Sequence, residues 1–122
     1  MKKPEFEFYT RPNGTNEMKN FLEQLPDKDK IKLLIRIDSV QEYGLLFAQK
    51  LQWIKKINTN LYEIRSQVSS NIQRAVYFHV NGNRYIITHG FTKKTQKTPR
   101  REIEHALKMR QEFFSNEDGG ND

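Results

Sequence analysis

The sequence predicts an α+β domain in the order β-α-α-β-β-β-α: a helix pair packed on a small, mainly antiparallel sheet, with a further helix at the C-terminus. Three observations predict it. Before Gly44, apolar residues recur at helical spacing on either side of Pro26. Between Leu61 and Phe91 the chain reads as short extended runs, two of which flank Asn81-Gly82-Asn83. After the last of these, Thr98-Pro99 introduces a new helical pattern.

Residues 5–9 set Phe6 and Phe8 against Glu5, Glu7 and Tyr9, the alternation of a first strand. Arg11-Pro12-Asn13-Gly14 is turn chemistry. Met18, Phe21, Leu22 and Leu25 then fall at i, i+3, i+4 and i+7 and line one face of a helix, with Thr15 or Asn16 as its cap and Pro26 as its end. Asp27 can cap a second helix. Its expected buried stripe is Ile31, Leu34, Ile35, Ile37 and Val40, and Gly44 sits where a left-handed residue closes a helix. The short link through Pro26 makes the two helices an antiparallel pair. Residues 45–60 carry Leu46, Phe47, Leu51, Trp53, Ile54 and Ile57 without a clean period, and read as mostly irregular with room for one short helix.

Residues 61–65 form the second strand and the polar residues 66–71 a loop. Residues 72–80 and 84–91 are antiparallel neighbours, because Asn-Gly suits a two-residue turn that needs positive φ. With Asn81 and Gly82 in the loop, Phe78 faces Tyr85, Val76 faces Ile87 and Arg74 faces His89; a Gly82-Asn83 turn would shift that register. Thr98 caps the last helix, Pro99 takes its first position, and Glu102 and Glu104 complement its dipole. Ile103, Ala106, Leu107 and Phe114 make its apolar stripe. Residues 1–115 are expected to form one domain, and the acidic, Gly-Gly-containing residues 116–122 a disordered tail.

At 122 residues, 35% apolar and 30% charged, the chain supports one domain with a modest core. Its net charge of +6 favours an anionic partner and argues against most acidic interaction modules. There is no cysteine, hence no disulfide framework and no Cys-based zinc site, and three scattered histidines make a poor metal set. The N-terminus lacks the apolar stretch of a signal peptide and no apolar run is long enough to span a bilayer. The expectation is a cytoplasmic protein without a membrane partner. No Gly-rich phosphate loop, nucleophilic Ser/His/Asp set or dinucleotide fingerprint appears, so no cofactor is expected.

The strongest functional signal runs from His89 through Thr98-Pro99 into the last helix. Lys93, Lys94, Lys97, Arg100 and Arg101 put five cations within nine residues, with no acid between them. At about 4 Å and an effective dielectric near 20, each close pair of like charges costs roughly 4 kcal/mol. A polyanion offsets that cost, and RNA or DNA phosphate is the natural candidate, against the plainer reading of a solvated basic loop. Arg65 and Arg74, on consecutive strands, are phosphate candidates because a guanidinium fork matches phosphate oxygens bidentately. Their plainer readings are an ion pair of Arg65 with Glu63 and a solubility residue at Arg74. His89 is the acid–base candidate near neutral pH, against a packed strand histidine. Lys93 and Lys94, crowded by other cations, are candidates for a base or for point charges on phosphate, and as neighbours on a strand they point to opposite faces. Lys97, Arg100, Arg101 and Lys56 are expected to add RNA contacts. His79 is expected to be structural or solvent-facing and His105 solvated. Trp53, Tyr62 and Tyr77 suit base stacking, but core packing is the preferred reading.

Leu61-Tyr62-Glu63-Ile64-Arg65, Arg74-Ala75-Val76-Tyr77-Phe78, the run from His89 to Pro99, and Glu102-Ile103 with Ala106 resemble the phage-related HigB branch of the RelE/ParE toxin superfamily over residues 17–110. The resemblance implies a RelE-like fold and the toxin of a type II toxin–antitoxin pair. It implies a ribosome-dependent mRNA endonuclease, working without metal, that inhibits translation and growth. It further implies a cognate HigA-like helix-turn-helix antitoxin, through which alone the toxin reaches operator DNA. Relatives on the ParE side share the fold, inhibit gyrase and lack the catalytic set; this chain carries the basic set, which favours the nuclease side. The chain departs from prototype RelE enzymes in having no tyrosine after Tyr85. The alternatives are a non-enzymatic, ParE-like gyrase inhibitor and a basic RNA- or ribosome-binding module.

Overall fold

The computed structural model describes residues 3–120, with side chains through Glu117. The elements follow as β1 (Glu5–Phe8), α1 (Glu17–Gln24), α2 (Asp27–Tyr43), α3 (Leu45–Lys50), β2 (Ile54–Asn58), β3 (Leu61–Val68), β4 (Asn71–Asn81), β5 (Arg84–Lys93) and α4 (Arg100–Gly120). The strands form one sheet in the order β1-β5-β4-β3-β2. Only the β1–β5 pair is parallel, so the α+β class and the mainly antiparallel sheet are as expected.

Alternation along the strands sends side chains to two faces, and each face finds its own helices. Met18, Leu22, Leu33, Ile37, Val40 and Ala48 of the first three helices meet Ile64, Ala75, Tyr77 and Ile87. On the other face Ala106, Met109 and Phe113 of α4 pack on Leu61, Val76, Phe78, Ile86 and Phe91. Each large apolar side chain enclosed in this way contributes about 1.5–3 kcal/mol. Gly90 lets α1 approach β5: a Cβ there would lie 2.3 Å from the Phe21 ring and 3.0 Å from the Arg74 carbonyl oxygen. Asn16 caps α1 by accepting the Lys19 N–H at 3.0 Å, and Gly44, at φ 92°, closes α2. Among the described residues no helix is long and apolar enough to cross a membrane.

Several local expectations need correction. The segment read as mostly irregular holds both α3 and β2. The strand escaped notice because it is an edge with a bulge between Lys56 and Asn58, which breaks the period of two. β3 runs to Val68, and Val68 pairs with Asn71, so the expected loop shrinks to a turn at Ser69-Ser70 with Ser69 at φ 56°. Asp27 does not cap α2: it is the first helical residue, Pro26 holds the cap position, and no side chain bonds there. Leu33, Ile37 and Val40 form the buried stripe of α2, whereas Ile31 and Ile35 are exposed. Thr98 does not cap α4, because its hydroxyl is turned to Glu63. Met109 and Phe113 join the apolar stripe of α4, and the helix spans Arg100–Gly120; the end of the segment expected to be a disordered tail, residues 121–122, lies outside the described residues.

The hairpin register differs most consequentially. Asn81 pairs with Arg84, leaving Gly82 and Asn83 in the loop, and the ladder slips twice more before the far end. Val76 faces His89 while Tyr77 faces Ile87, so Thr88 is an extra residue whose hydroxyl reaches the Val76 carbonyl at 3.3 Å. Arg74 therefore faces Phe91, not His89. The bulge has a directional effect. Ile87 belongs to the α1–α2 face, and without the extra residue His89 and Phe91 would join it. With it, both point to the α4 face.

Candidate active site

β3 alternates Leu61, Glu63 and Arg65 onto the α4 face, and Arg65 pairs with Arg74 across the β3–β4 ladder. Two guanidiniums thus lie side by side with one carboxylate between them. Glu63 Oε1 accepts from Arg65 Nη2 at 3.1 Å and from the Thr98 hydroxyl at 2.5 Å. Glu63 Oε2 lies 3.2 Å from Arg74 Nε, an ion-pair distance without hydrogen-bond alignment. Arg74 and Glu63 are both fully buried. Burial lowers the Arg74 pKa, Glu63 counters that, and Arg65 adds to it; the guanidinium stays charged at neutral pH.

The loop between β5 and α4 closes over this cluster. Arg74 Nη2 donates to the Thr95 carbonyl. Arg65 donates to the Gln96 side chain at 2.9 Å and also to the Gln96 carbonyl. The Arg74 guanidinium lies 5.5 Å over the Phe91 ring. Even so, the donors are not used up. Arg65 Nε, Arg74 Nε and Arg74 Nη1 are buried without a hydrogen-bond partner, as is Glu63 Oε2. Native interiors leave few such groups, and each calls for an explanation. Here two cations, Arg74 buried and Arg65 partly so, share one anion, so the cluster carries an excess positive charge and unspent N–H groups. That arrangement is suited to a phosphate oxygen, which accepts charge-assisted bonds more strongly than a peptide carbonyl.

The other sequence candidates sort around this cluster. Lys93 ends β5, half-buried, two residues beyond Phe91 and on the same face. Lys94 and Lys97 stand exposed in the loop. Arg100 and Arg101 begin α4, exposed and paired with Glu104 at 2.9 Å and Glu102 at 3.8 Å. Such pairs are worth ~0–1 kcal/mol and are readily exchanged. Lys56 is not near the loop; it lies on β2 in a separate pocket with Gln49, Ile54, Lys55 and Tyr62.

His89 is brought to the α4 face but packs beyond Phe91, their rings 6.1 Å apart. Its Nδ1 lies 2.9 Å from the Thr88 hydroxyl and its Nε2 donates to Glu102 at 3.1 Å. The hydrogen bond from His89 outweighs burial and holds the Glu102 carboxyl below its usual range. With both nitrogens engaged, His89 is a packed strand histidine in this state. His105, expected to be solvated, is only half-exposed. The course of α4 brings it against the His89 ring at 4.9 Å, and its Nε2 lies 2.8 Å from Glu17. Arg11 extends this network, donating to Glu17 at 2.9 Å and to both oxygens of Glu112 at 3.1 and 3.0 Å. Tyr9 donates to Glu112 at 2.9 Å, and burial with that bond pushes its phenol up to about 12. Tyr77 is core and Tyr62 and Trp53 pack against it; the His79 ring reaches the Gly82 carbonyl at 2.8 Å.

Sequence reasoning missed the shared role of Glu63 and the parts of Thr98 and Gln96. The signal for Glu63 was present in its place two residues before Arg65, but Arg74 joins it only through the β3–β4 register.

Residues 20–111 match the family model described as Phage derived protein Gp49-like (DUF891). No curated protein matches the chain.

Proposed function

The chain belongs to the Gp49-like phage-derived family, a family of RelE-like, toxin-like proteins, and from that premise we propose that it is a HigB-type toxin that cleaves mRNA on the ribosome. Cleavage arrests translation and growth. The observation that carries the reading is the pair of arginines, Arg74 buried and Arg65 partly so, that share one buried carboxylate and have N–H donors left over. In the proposed reaction the substrate's 2′-hydroxyl attacks the adjacent phosphorus and the 5′-oxygen leaves with a proton, giving a 2′,3′-cyclic phosphate and a 5′-hydroxyl. Arg65 and Arg74 hold the non-bridging oxygens and offset the charge that grows on the phosphorane, where preorganised donors in a dry site act most strongly. The Thr95 and Gln96 carbonyls occupy acceptor positions that phosphate oxygens would take over. Lys93 serves the proton transfers, and Lys94, Lys97, Arg100 and Arg101 hold flanking phosphates. His89 positions the strand end. A cognate HigA-like helix-turn-helix antitoxin silences the toxin in the cytoplasm and alone contacts operator DNA.

A second reading, a ParE-like toxin that binds gyrase without cleaving RNA, draws on the full enclosure of Arg74 and the engaged nitrogens of His89. Inducible expression with message 5′-end mapping separates the two. The nuclease reading predicts growth arrest with new codon-phased ends, lost in Lys93→Ala and Arg65→Ala. Arrest with intact messages would transfer the chain to the gyrase reading.

A further inference from the structure

A groove of about 740 Å³ lies on the other side of Arg65, between α2 and the edge of β3. Its walls include Lys32, Arg36, Trp53, Lys55, Arg65 and Ser66, and no carboxylate side chain lines it. β2 stops pairing with β3 at Ile64, which leaves the carbonyls of Arg65 and Gln67 on an open edge. Two cations of α2 cover that edge: Arg36 donates to the Arg65 carbonyl at 2.8 Å and Lys32 to the Gln67 carbonyl at 2.5 Å. Lys55 and Arg65 line the same groove, so four cations border it and one of them, Arg65, is paired, with Glu63 at 3.1 Å. The three other cations have no carboxylate in the groove, and a polyanion would offset their repulsion.

Two further features point to the ligand. The Ser66 hydroxyl, on the groove's lining, is buried and without a hydrogen-bond partner, a donor suited to an oxyanion. Along the rim, the Arg36 guanidinium lies 4.9 Å over the Trp53 ring. Trp53 in turn meets Phe47 at 5.7 Å and Tyr43 at 6.4 Å, and Phe47 and Tyr43 are themselves exposed. Cations interleaved with aromatic and guanidinium faces are how proteins hold unpaired nucleotides, the charges tracking phosphates and the flat groups stacking on bases.

We propose that this groove binds a single-stranded RNA segment continuous with the one cut at the Arg65–Arg74 cluster, its phosphates along Lys32, Arg36 and Lys55 and a base on the Arg36–Trp53 platform. The inference rests on the nuclease reading and extends the bound strand beyond the reaction centre, with Arg65 shared by both. The groove then fixes which side of the scissile phosphate the protein grips.

Trp53 is the only tryptophan of the chain, so its emission reports on the groove alone. The test titrates the intact chain, Lys32→Ala/Lys55→Ala and Lys94→Ala/Lys97→Ala with an uncleavable 2′-O-methyl RNA 12-mer over a series of salt concentrations. The intact chain is expected to bind with quenched Trp53 emission. The groove variant is expected to bind roughly tenfold more weakly, with the slope of log affinity against log salt shallower by about 1.4, since each single-strand phosphate contact contributes about 0.7. The loop variant is expected to lose affinity yet keep the quench at saturation. Unchanged Trp53 emission with an unchanged slope in the groove variant overturns the proposal and leaves the groove to a protein partner. If message cleavage is observed in the same preparation, that failure belongs to the groove alone; if cleavage is absent too, the nuclease reading falls with it.

Discussion

Two polar networks lie on the α4 face of the sheet, and they are built to opposite plans. Around Arg11, every group has an answer. Its guanidinium is divided between Glu17 and Glu112, Tyr9 completes Glu112, and His105 completes Glu17. Around Glu63 the account does not close, since two arginines meet one carboxylate and three of their N–H positions have no acceptor. Both networks join distant elements, so linking the fold does not require unspent donors. A satisfied network explains itself as structure, whereas a cation-rich and unsatisfied one is where the proposed phosphate ligand would find its donors.

The contrast is broken most forcefully at its centre. Glu63→Ala leaves Arg65 and Arg74 facing each other without an anion, and loss of one partner from a buried pair costs about 3–5 kcal/mol. Denaturant unfolding should show that loss, with Glu63→Gln losing less; a change under 1 kcal/mol would mean that the two arginines do not depend on the carboxylate. Arg11→Ala should cost about 2 kcal/mol, as expected for lost hydrogen bonds between charged groups, while message cleavage per folded molecule stays at the level of the intact chain. Cleavage lost in proportion to Arg65→Ala would erase the distinction between the networks.

A smaller effect separates the networks by pH. Burial pushes Glu17 up, but hydrogen bonds from His105 and Arg11 outweigh it, and Glu112 is held low first by its bond from Arg11. Both therefore sit below the ordinary value of 4.5 when folded. A carboxyl with a lowered folded pKa contributes stability that is fully present above its unfolded value and lost as pH falls through the folded one. Unfolding midpoints of the intact chain should decline as pH drops below about 4.5, and the decline should be shallower in Glu17→Gln/Glu112→Gln. Equal declines would remove these carboxylates from the acid response. Arg100→Ala, which breaks only an exposed pair, should shift stability by less than ~0.5 kcal/mol.

The closed network was almost invisible in the sequence and the open one partly legible, for a physical reason. Arg65 with Glu63 is a local pair on one strand face, so alternation alone reveals it. The RelE-like order of elements was legible because amphipathic periods and the Asn81-Gly82-Asn83 turn signal act locally. Arg74 facing Phe91 depends on where the turn falls, because the later slips at Val80 and Thr88 cancel, and the position of the turn does not change the apolar pattern enough to be read from it. The Arg11 and His105 contacts join residues about a hundred positions apart, and no period carries that information. For the same reason His105 looked solvated: its neighbours along α4 are acidic, but its neighbour in space is His89.

The most direct test of the account follows the arginine Nε–H signals by ¹⁵N NMR as the uncleavable RNA is added, with Arg11 as the internal reference. The account predicts that Arg65 and Arg74 shift and gain protection from exchange while Arg11 stays where it was. Movement of Arg11 alone, or no movement at Arg65 and Arg74 when RNA is demonstrably bound, would contradict it and return the buried cluster to a purely structural role.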